Sequence, residues 1–264
     1  MIAQETNWFN LFGQYVPEKT TWHALTTVYS IELEVIRSYK FTRTFSTNAD
    51  KSIIYHHNIY YLPDNQIKEQ SWKLERQKCN QPDGVFHPEA ENMRAIGFGN
   101  ETSIWISKTF SHNHNFGSEV FFQQQDWRYS VIPVYEGGNL SRIVTIKENK
   151  QHFPTQINEE KITNLSGKWQ LKQIKMKPDL KTSNQEFASQ EIQNSVFIKT
   201  NQNYFLPEKI ILNVPSIIPM NQTFEMLVGK QITDNLYKQI KVQYNSSGKL
   251  SELTSEVYQL DASR

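Results

Sequence analysis

The chain has one cysteine, Cys79, in 264 residues. No internal disulfide framework is possible, which fits a reducing compartment. An excess of charge of one sign is also missing: 28 basic and 27 acidic residues leave a formal charge of +1. That balance gives no reason to expect nucleic acid or an anionic membrane as partner. No stretch approaches the roughly 18 apolar residues that span a bilayer, so no membrane insertion is expected. The opening Met1-Ile-Ala-Gln-Glu-Thr-Asn7 lacks the basic start and apolar run of a secretory signal. A soluble, cytoplasmic protein is therefore expected, and the acceptor patterns at Asn100, Asn164, Asn221 and Asn245 are chance matches.

Signatures of common chemistries are missing too. Gly97-Phe-Gly99 and Gly137-Gly138 lack the strand, glycine-rich loop and helix order of a phosphate cradle. No cofactor motif is visible, so the cofactor is left unknown. His112 and His114 would share a face if extended, but no third ligand accompanies them. They read as an exposed turn, and no metal site is expected. His56 and His57 are adjacent on a strand and point to opposite faces. Cys79 has no designated base and reads as an inert thiol.

What the chain has in quantity is aromatic residues, with 15 Phe, 12 Tyr and 6 Trp. These suit pleated, half-buried strand surfaces. A hairpin pattern also occurs twice. The first copy runs Arg128–Tyr135, Glu136-Gly-Gly-Asn139, Leu140–Lys147; the second runs Tyr237–Tyr244, Asn245-Ser-Ser-Gly-Lys249, Leu250–Val257. Each closes its first strand with tyrosine and opens its second with Leu-Ser. The repetition suggests two related β-rich lobes.

Residues 6–15 read as a short amphipathic helix stopped by Gly13, with Trp8, Leu11 and Phe12 as a plug. Strands are expected within 22–46, at 52–62, 70–78, 93–99, 103–110 and 118–125, and then in the first hairpin. The polar stretch 149–165 marks a boundary, giving lobes 1–150 and 151–264. In the second lobe, strands are expected from Gly167, at 195–200, 208–214, 222–230, 235–244 and 249–258. Residues 179–195 read as a long loop or short helix. Short strands with regular turn signals and no long helices define an all-β class of barrels or sandwiches.

Several segments resemble an uncharacterised, largely cyanobacterial family, domain of unknown function 3598. They are Gly84-Val-Phe-His-Pro88, Met93–Gly99, Trp105-Ile-Ser-Lys108, Phe116–Phe122, Arg128-Tyr-Ser-Val131, the Tyr135–Leu140 hairpin and Ile146-Lys-Glu148. In the second lobe the resemblance rests on Leu206-Pro-Glu208 and the last hairpin, and Gly167-Lys-Trp169 is similar to the first strand of a lipocalin-like barrel. The resemblance implies two lipocalin-like, calycin-type antiparallel barrels in tandem and carries no activity. This chain has Arg128-Tyr129 where the motif has Arg followed by His, which removes any imidazole chemistry at that position.

The candidate ligand-binding residues are Arg43, Arg94, Trp105, Glu119, Arg128, Arg142 and Glu148. Arg43 lies among Tyr39, Phe41 and Phe45; Arg94 shares a strand face with Ile96 and Phe98; Glu119 shares one with Phe121. Arg142 and Glu148 alternate with Leu140, Val144 and Ile146. Trp105 and Arg128 enter through the resembling motifs. Charges on apolar faces must be paired or hydrogen-bonded, so they are either polar anchors in an aromatic pocket or structural ion pairs. His87 reads as a turn contact. Three functions stay open: a binder of a small apolar molecule (lipid, isoprenoid or pigment), an enzyme such as a cyclase, isomerase or bilin lyase, and an assembly factor with filled barrels. The oligomeric state is not legible.

Overall fold

In the computed structural model the described residues are 3–13, 19–62, 66–111, 116–162, 165, 167–191 and 199–261. The alternation in the sequence becomes two antiparallel sheets after a short helix, α1 (Ala3–Phe12). The first sheet holds β1 (Thr20–Tyr29), β2 (Val35–Thr47), β3 (Ile53–Tyr61) and β4 (Ile67–Glu75). A four-residue helix, α2 (Arg76–Cys79), leads to β5 (Asn80–Gln81), β6 (Gly84–His87), β7 (Ala90–Gly97) and β8 (Thr102–Ser107). Then come β9 (Phe116–Gln124), β10 (Trp127–Glu136) and β11 (Asn139–Asn149). The second sheet holds β12 (Lys168–Met176), β13 (Thr182–Glu191), β14 (Gln202–Leu206), β15 (Ile210–Val214), β16 (Phe224–Thr233), β17 (Leu236–Tyr244) and β18 (Leu250–Leu260).

The first sheet has the order β4-β3-β2-β1-β11-β10-β9-β8-β7-β6-β5. Arg43 on β2 and Glu119 on β9 are four strands apart, about 19 Å along a flat sheet, yet their side chains meet at 3.2 Å. The sheet is therefore curled into a nearly closed barrel. Its two edge strands, β4 and β5, are joined by α2. Across this seam the Trp72 ring lies 5.5 Å from His87, so side chains close what backbone pairing does not.

The chain divides into two compact units. One comprises Met1–Lys108, Gly117–Val134 and Ser141–Gln156; the other comprises Thr109–Phe116, Tyr135–Leu140 and Ile157–Arg264. In the first unit, α1 acts as the expected plug. Trp8 and Phe12 are buried with Trp22, Phe45, Ile54, Leu74 and Val85, and Leu11 packs against them. Each large side chain so buried contributes about 1.5–3 kcal/mol. The helix ends where Gly13 donates to the Phe9 carbonyl at 2.7 Å; Gln14 and Tyr15 lie outside the described residues.

The second sheet has the order β13-β12-β18-β17-β16-β15-β14. One face is apolar, with Ile240, Val242, Leu253, Met226, Val228 and Leu212 buried. The other is apolar chiefly at one end, where Trp169, Leu171, Ile211, Tyr237 and Tyr258 cluster. Both expected hairpins form, as β10–β11 and β17–β18. Gly137 and Gly138 turn the first with φ of 58° and 81°, values open to glycine at little cost.

Two expectations for the second lobe are corrected. Residues 182–191, read as loop or helix, form β13, paired with β12. This is an edge strand, exposed over Thr182–Phe187, so it lacks the apolar alternation that marks a half-buried strand. Of the strand expected at 195–200, residues 195–198 lie outside the described ones and 199–200 form a turn; β14 follows at Gln202. His112 and His114 also lie outside the described residues.

Asn7 ties α1 to the barrel. It is 2% exposed, donates to the Ala95 carbonyl at 3.2 Å and accepts the Gly97 N–H at 2.9 Å. Asn7→Ala leaves two buried backbone groups unpaired and is expected to cost about 1–3 kcal/mol, read as a lower urea midpoint. An unchanged midpoint would mean that β7 does not hold the helix.

Candidate functional site

The register between β1 and β11 sets Ala24 opposite Glu148, and that between β1 and β2 sets Trp22 opposite Arg43. Side chains alternate along a strand, so Glu148, Trp22, Phe41, Arg43 and Phe45 all face the interior of the curled sheet. Glu119 and Phe121 enter from β9, and Arg128 and Ser130 from β10. The register of β2 with β3 adds His56, Asn58 and Tyr60.

Glu148 is fully buried and takes both arms of Arg128, Oε2 from Nε at 2.6 Å and Oε1 from Nη2 at 3.1 Å. Arg43 Nε lies 3.5 Å from the same carboxylate. The Arg43 Nη2 donates to Glu119 at 3.2 Å, and the Ser130 hydroxyl donates to the same oxygen at 2.9 Å. Aromatic faces hold both guanidiniums: Arg128 lies 4.4 Å from the Trp22 ring centroid and 5.3 Å from Phe121, and Arg43 lies 5.3 Å from Phe41. Two cations and two anions thus form a neutral layer across the barrel. Burial opposes ionisation of Glu148, but Arg128 and Arg43 overcome it and hold its carboxyl below the ordinary value.

His56 completes the layer. Its Nε2 lies 2.9 Å from the Asn58 amide oxygen, and the Asn58 amide donates to the Tyr60 hydroxyl at 3.0 Å. The ring stacks on Phe45 at 4.5 Å and meets Trp72 at 4.8 Å. Burial, then the nearby Arg43, holds its imidazole well below the ordinary value, so it is neutral at pH 7. His57 points the other way, to Glu69 at 3.1 Å, as the adjacent spacing requires.

On the side of this layer away from α1, Phe41, Ala24 and Ile146 are buried, with Tyr39, Tyr60, Ile132 and Val144 packed against them. A cavity of about 250 Å³ opens there, lined by Tyr39, Tyr60 and Leu62 with Arg37, Lys68 and Gln70 at its polar edge. Aromatic walls with a few polar groups are the make-up of a small-molecule site, and this one is somewhat smaller than the usual range of about 300–1,000 Å³.

Of the seven candidates, Arg43, Glu119, Arg128 and Glu148 come together. Trp105 shares their face and sits 5.2 Å from His87, at the seam. Arg142 shares the strand face of Glu148 but stands six residues along β11, about 20 Å away. Its Nη1 lies 3.3 Å from the Ser141 hydroxyl. Arg94 faces away from the interior: it is held by Asp83 at 2.7 Å, two carbonyls and the Phe86 ring. His87 accepts the Glu89 N–H at 3.2 Å, a turn contact. Tyr129, on the face opposite Arg128, lies 6.4 Å from Trp127. Sequence reasoning missed Trp22, Asn58, Tyr60 and Ser130. Ser130 alternates with Arg128 on β10, a signal the sequence held; the other three need the register of β2 with β1 and β3.

Fold and site together define an all-β protein with a nearly closed antiparallel barrel crossed by a buried ion-pair layer. A family model described as domain of unknown function (DUF3598), N-terminal, matches residues 4–153. The chain belongs to that family. A protein of unknown function from the same family, from the cyanobacterium Nostoc punctiforme PCC 73102, superposes with a TM-score of 0.72 at 13% identity, over 97% of this chain and 99% of its own. At that identity the likeness shows the fold alone. Kievitone hydratase from Nectria haematococca gives a TM-score of 0.22 at 8% identity, over 94% and 91% of the two chains, and carries no argument. No curated protein matches the chain. Among the described residues, no helix is long and apolar enough to cross a membrane.

The layer has a measurable energetic signature. Glu148→Ala leaves two guanidiniums facing each other in the interior, and is expected to lower stability by about 3–5 kcal/mol. A loss under about 1 kcal/mol in denaturant unfolding would show that the layer is solvated. The pH dependence follows from His56 and His87, both held below the ordinary value, chiefly by burial. The unfolded chain binds more protons below about pH 6.5, so their contribution is complete above that value and is lost as pH falls. Glu148 adds a loss at still lower pH, as it is forced to protonate below the ordinary carboxylate value. His56→Phe should flatten the slope of stability between about pH 7 and 5; an unchanged slope would assign it to other groups.

Proposed function

We propose that this chain is a non-catalytic binding protein of calycin type that takes a small apolar molecule, such as a lipid, isoprenoid or pigment, in the mouth of the first barrel. The observation that carries the reading is the cavity walled by Tyr39, Tyr60 and Leu62 above Phe41 and Ile146. Beyond Phe41 and Ile146 lies the ion-pair layer, where four charges cancel and the His56 imidazole is neutral. The charges of that layer are engaged by one another, which favours binding over catalysis. Arg94 and Glu148 are occupied by protein partners, so the ligand's polar end falls to Arg37, Lys68 and Gln70 at the rim. The filled-core alternative has its own support in the half next to α1, where Trp8, Phe12, Trp22, Phe45 and Leu74 form one buried apolar cluster.

Native mass spectrometry with an absorbance spectrum, on protein from its own source or a pigmented host, is expected to show an apolar molecule near one equivalent. A fluorescent fatty-acid probe should bind the emptied protein, and Tyr39→Arg should weaken it roughly tenfold or more. Protein that arrives empty and binds no apolar probe would leave the filled-core reading standing.

A further inference from the structure

The second unit carries a polar cavity of about 220 Å³ on one face of its sheet, the volume of about seven waters. The registers of β12, β18, β17 and β16 lay out three rows of inward side chains there. The first is Gln173, Glu256, Gln239 and Gly229; the second is Lys175, Thr254, Lys241 and Leu227; the third ends in Glu252, Gln243 and Glu225. The first row is satisfied internally. Glu256, 2% exposed, accepts from Gln173 at 2.6 Å and from the Tyr258 hydroxyl at 3.0 Å, is also bonded by Gln239, and pairs with Lys241 at 3.2 Å. Glu252 pairs with Lys177 at 2.7 Å.

Among the described residues, four groups lining the cavity are left without a side-chain partner: the Lys175 ammonium, the Thr254 hydroxyl, the Gln243 amide and the Glu225 carboxylate. Thr254 is only 7% exposed. Its hydroxyl opens onto the cavity, where it can meet a ligand or water. The order of these groups is informative. Lys175 and Thr254 are neighbours in one row, Gln243 and Glu225 in the next, with the cation on β12 and the anion on β16. These strands are three apart in the sheet, about 14 Å between backbones.

We propose that this cavity binds a small zwitterion whose charges lie several bonds apart, an ω-amino acid or a dipeptide. Its carboxylate meets Lys175 and Thr254, and its ammonium meets Glu225 and Gln243. The satisfied row beneath fixes the site: Lys241 is held by Glu256 and so does not compete for the ligand's carboxylate. The proposal concerns a different unit from the apolar site and stands or falls without it.

The test is titration calorimetry of the full chain with 6-aminohexanoate and glycylglycine, against hexanoate, hexylamine and sorbitol. The zwitterions should bind, and the singly charged and uncharged probes should bind at least roughly tenfold more weakly. Lys175→Gln and Glu225→Gln alter half-buried side chains without fold partners. Each should weaken the zwitterions roughly tenfold while leaving the unfolding midpoint unchanged. No heat with either zwitterion at about 10 mM, equal affinity for sorbitol or the singly charged probes, or indifference to both variants would overturn the proposal.

Discussion

The buried carboxylate of Glu148 is the constraint on which the first unit depends. It lies on the strand that joins the two runs of the sheet, and it takes Arg128 from one side and Arg43 from the other. Arg43 in turn reaches Glu119, so one chain of charges ties β2, β11, β10 and β9 across the interior. Those contacts exist only if the sheet is curled, and the curl leaves the charges no other way to be compensated. A well-packed apolar layer of the same volume would often be as stable or more so. The polar layer therefore fixes one geometry more than it adds stability, and it divides the half beside α1 from the half lined by Tyr39 and Tyr60.

The ingredients of this layer could be read in the chain, and their pairing could not. Alternation placed Arg43 among aromatic residues and Glu148 among aliphatic ones, and both face inward. Pairing needs the register of β1 against both β2 and β11, which joins distant segments and leaves no local signal. The same limit explains Arg94 and Arg142. The face of Arg94 was legible, but which face becomes the interior depends on the direction of curl. Arg142 has the right parity and stands at the wrong height along its strand. β13 escaped because an exposed edge strand has no need of apolar alternation, whereas the helix, its glycine stop and both hairpins were written in local chemistry.

The two sheets use similar residue types to different ends. In the first, arginine forks match carboxylates in a bidentate fashion and are backed by rings, which suits permanent pairing in a dry interior. In the second, lysines serve instead; their flexible point charges suit a site that exchanges partners with solvent. Tyr237 and Tyr258 lie under that site with hydroxyls pushed upward in pKa, first by burial and then by Glu256. They act there as neutral donors.

The seam of the first sheet has a further implication. Because the seam is closed by side chains, Trp72 of β4 against His87 of β6, β4 keeps a row of backbone donors and acceptors with no strand beside it among the described residues. Such an edge invites a second molecule to add its own strand, the usual beginning of aggregation. Along β4, Lys68, Glu69, Lys73 and Glu75 supply both signs of charge. Glu69 and Glu75 are engaged by His57 and Lys73, which holds part of that charge at the edge. A neighbouring chain would have to desolvate or displace these groups before its backbone could pair. The barrel is thus kept from growing sideways by its surface chemistry, without a final ladder of hydrogen bonds.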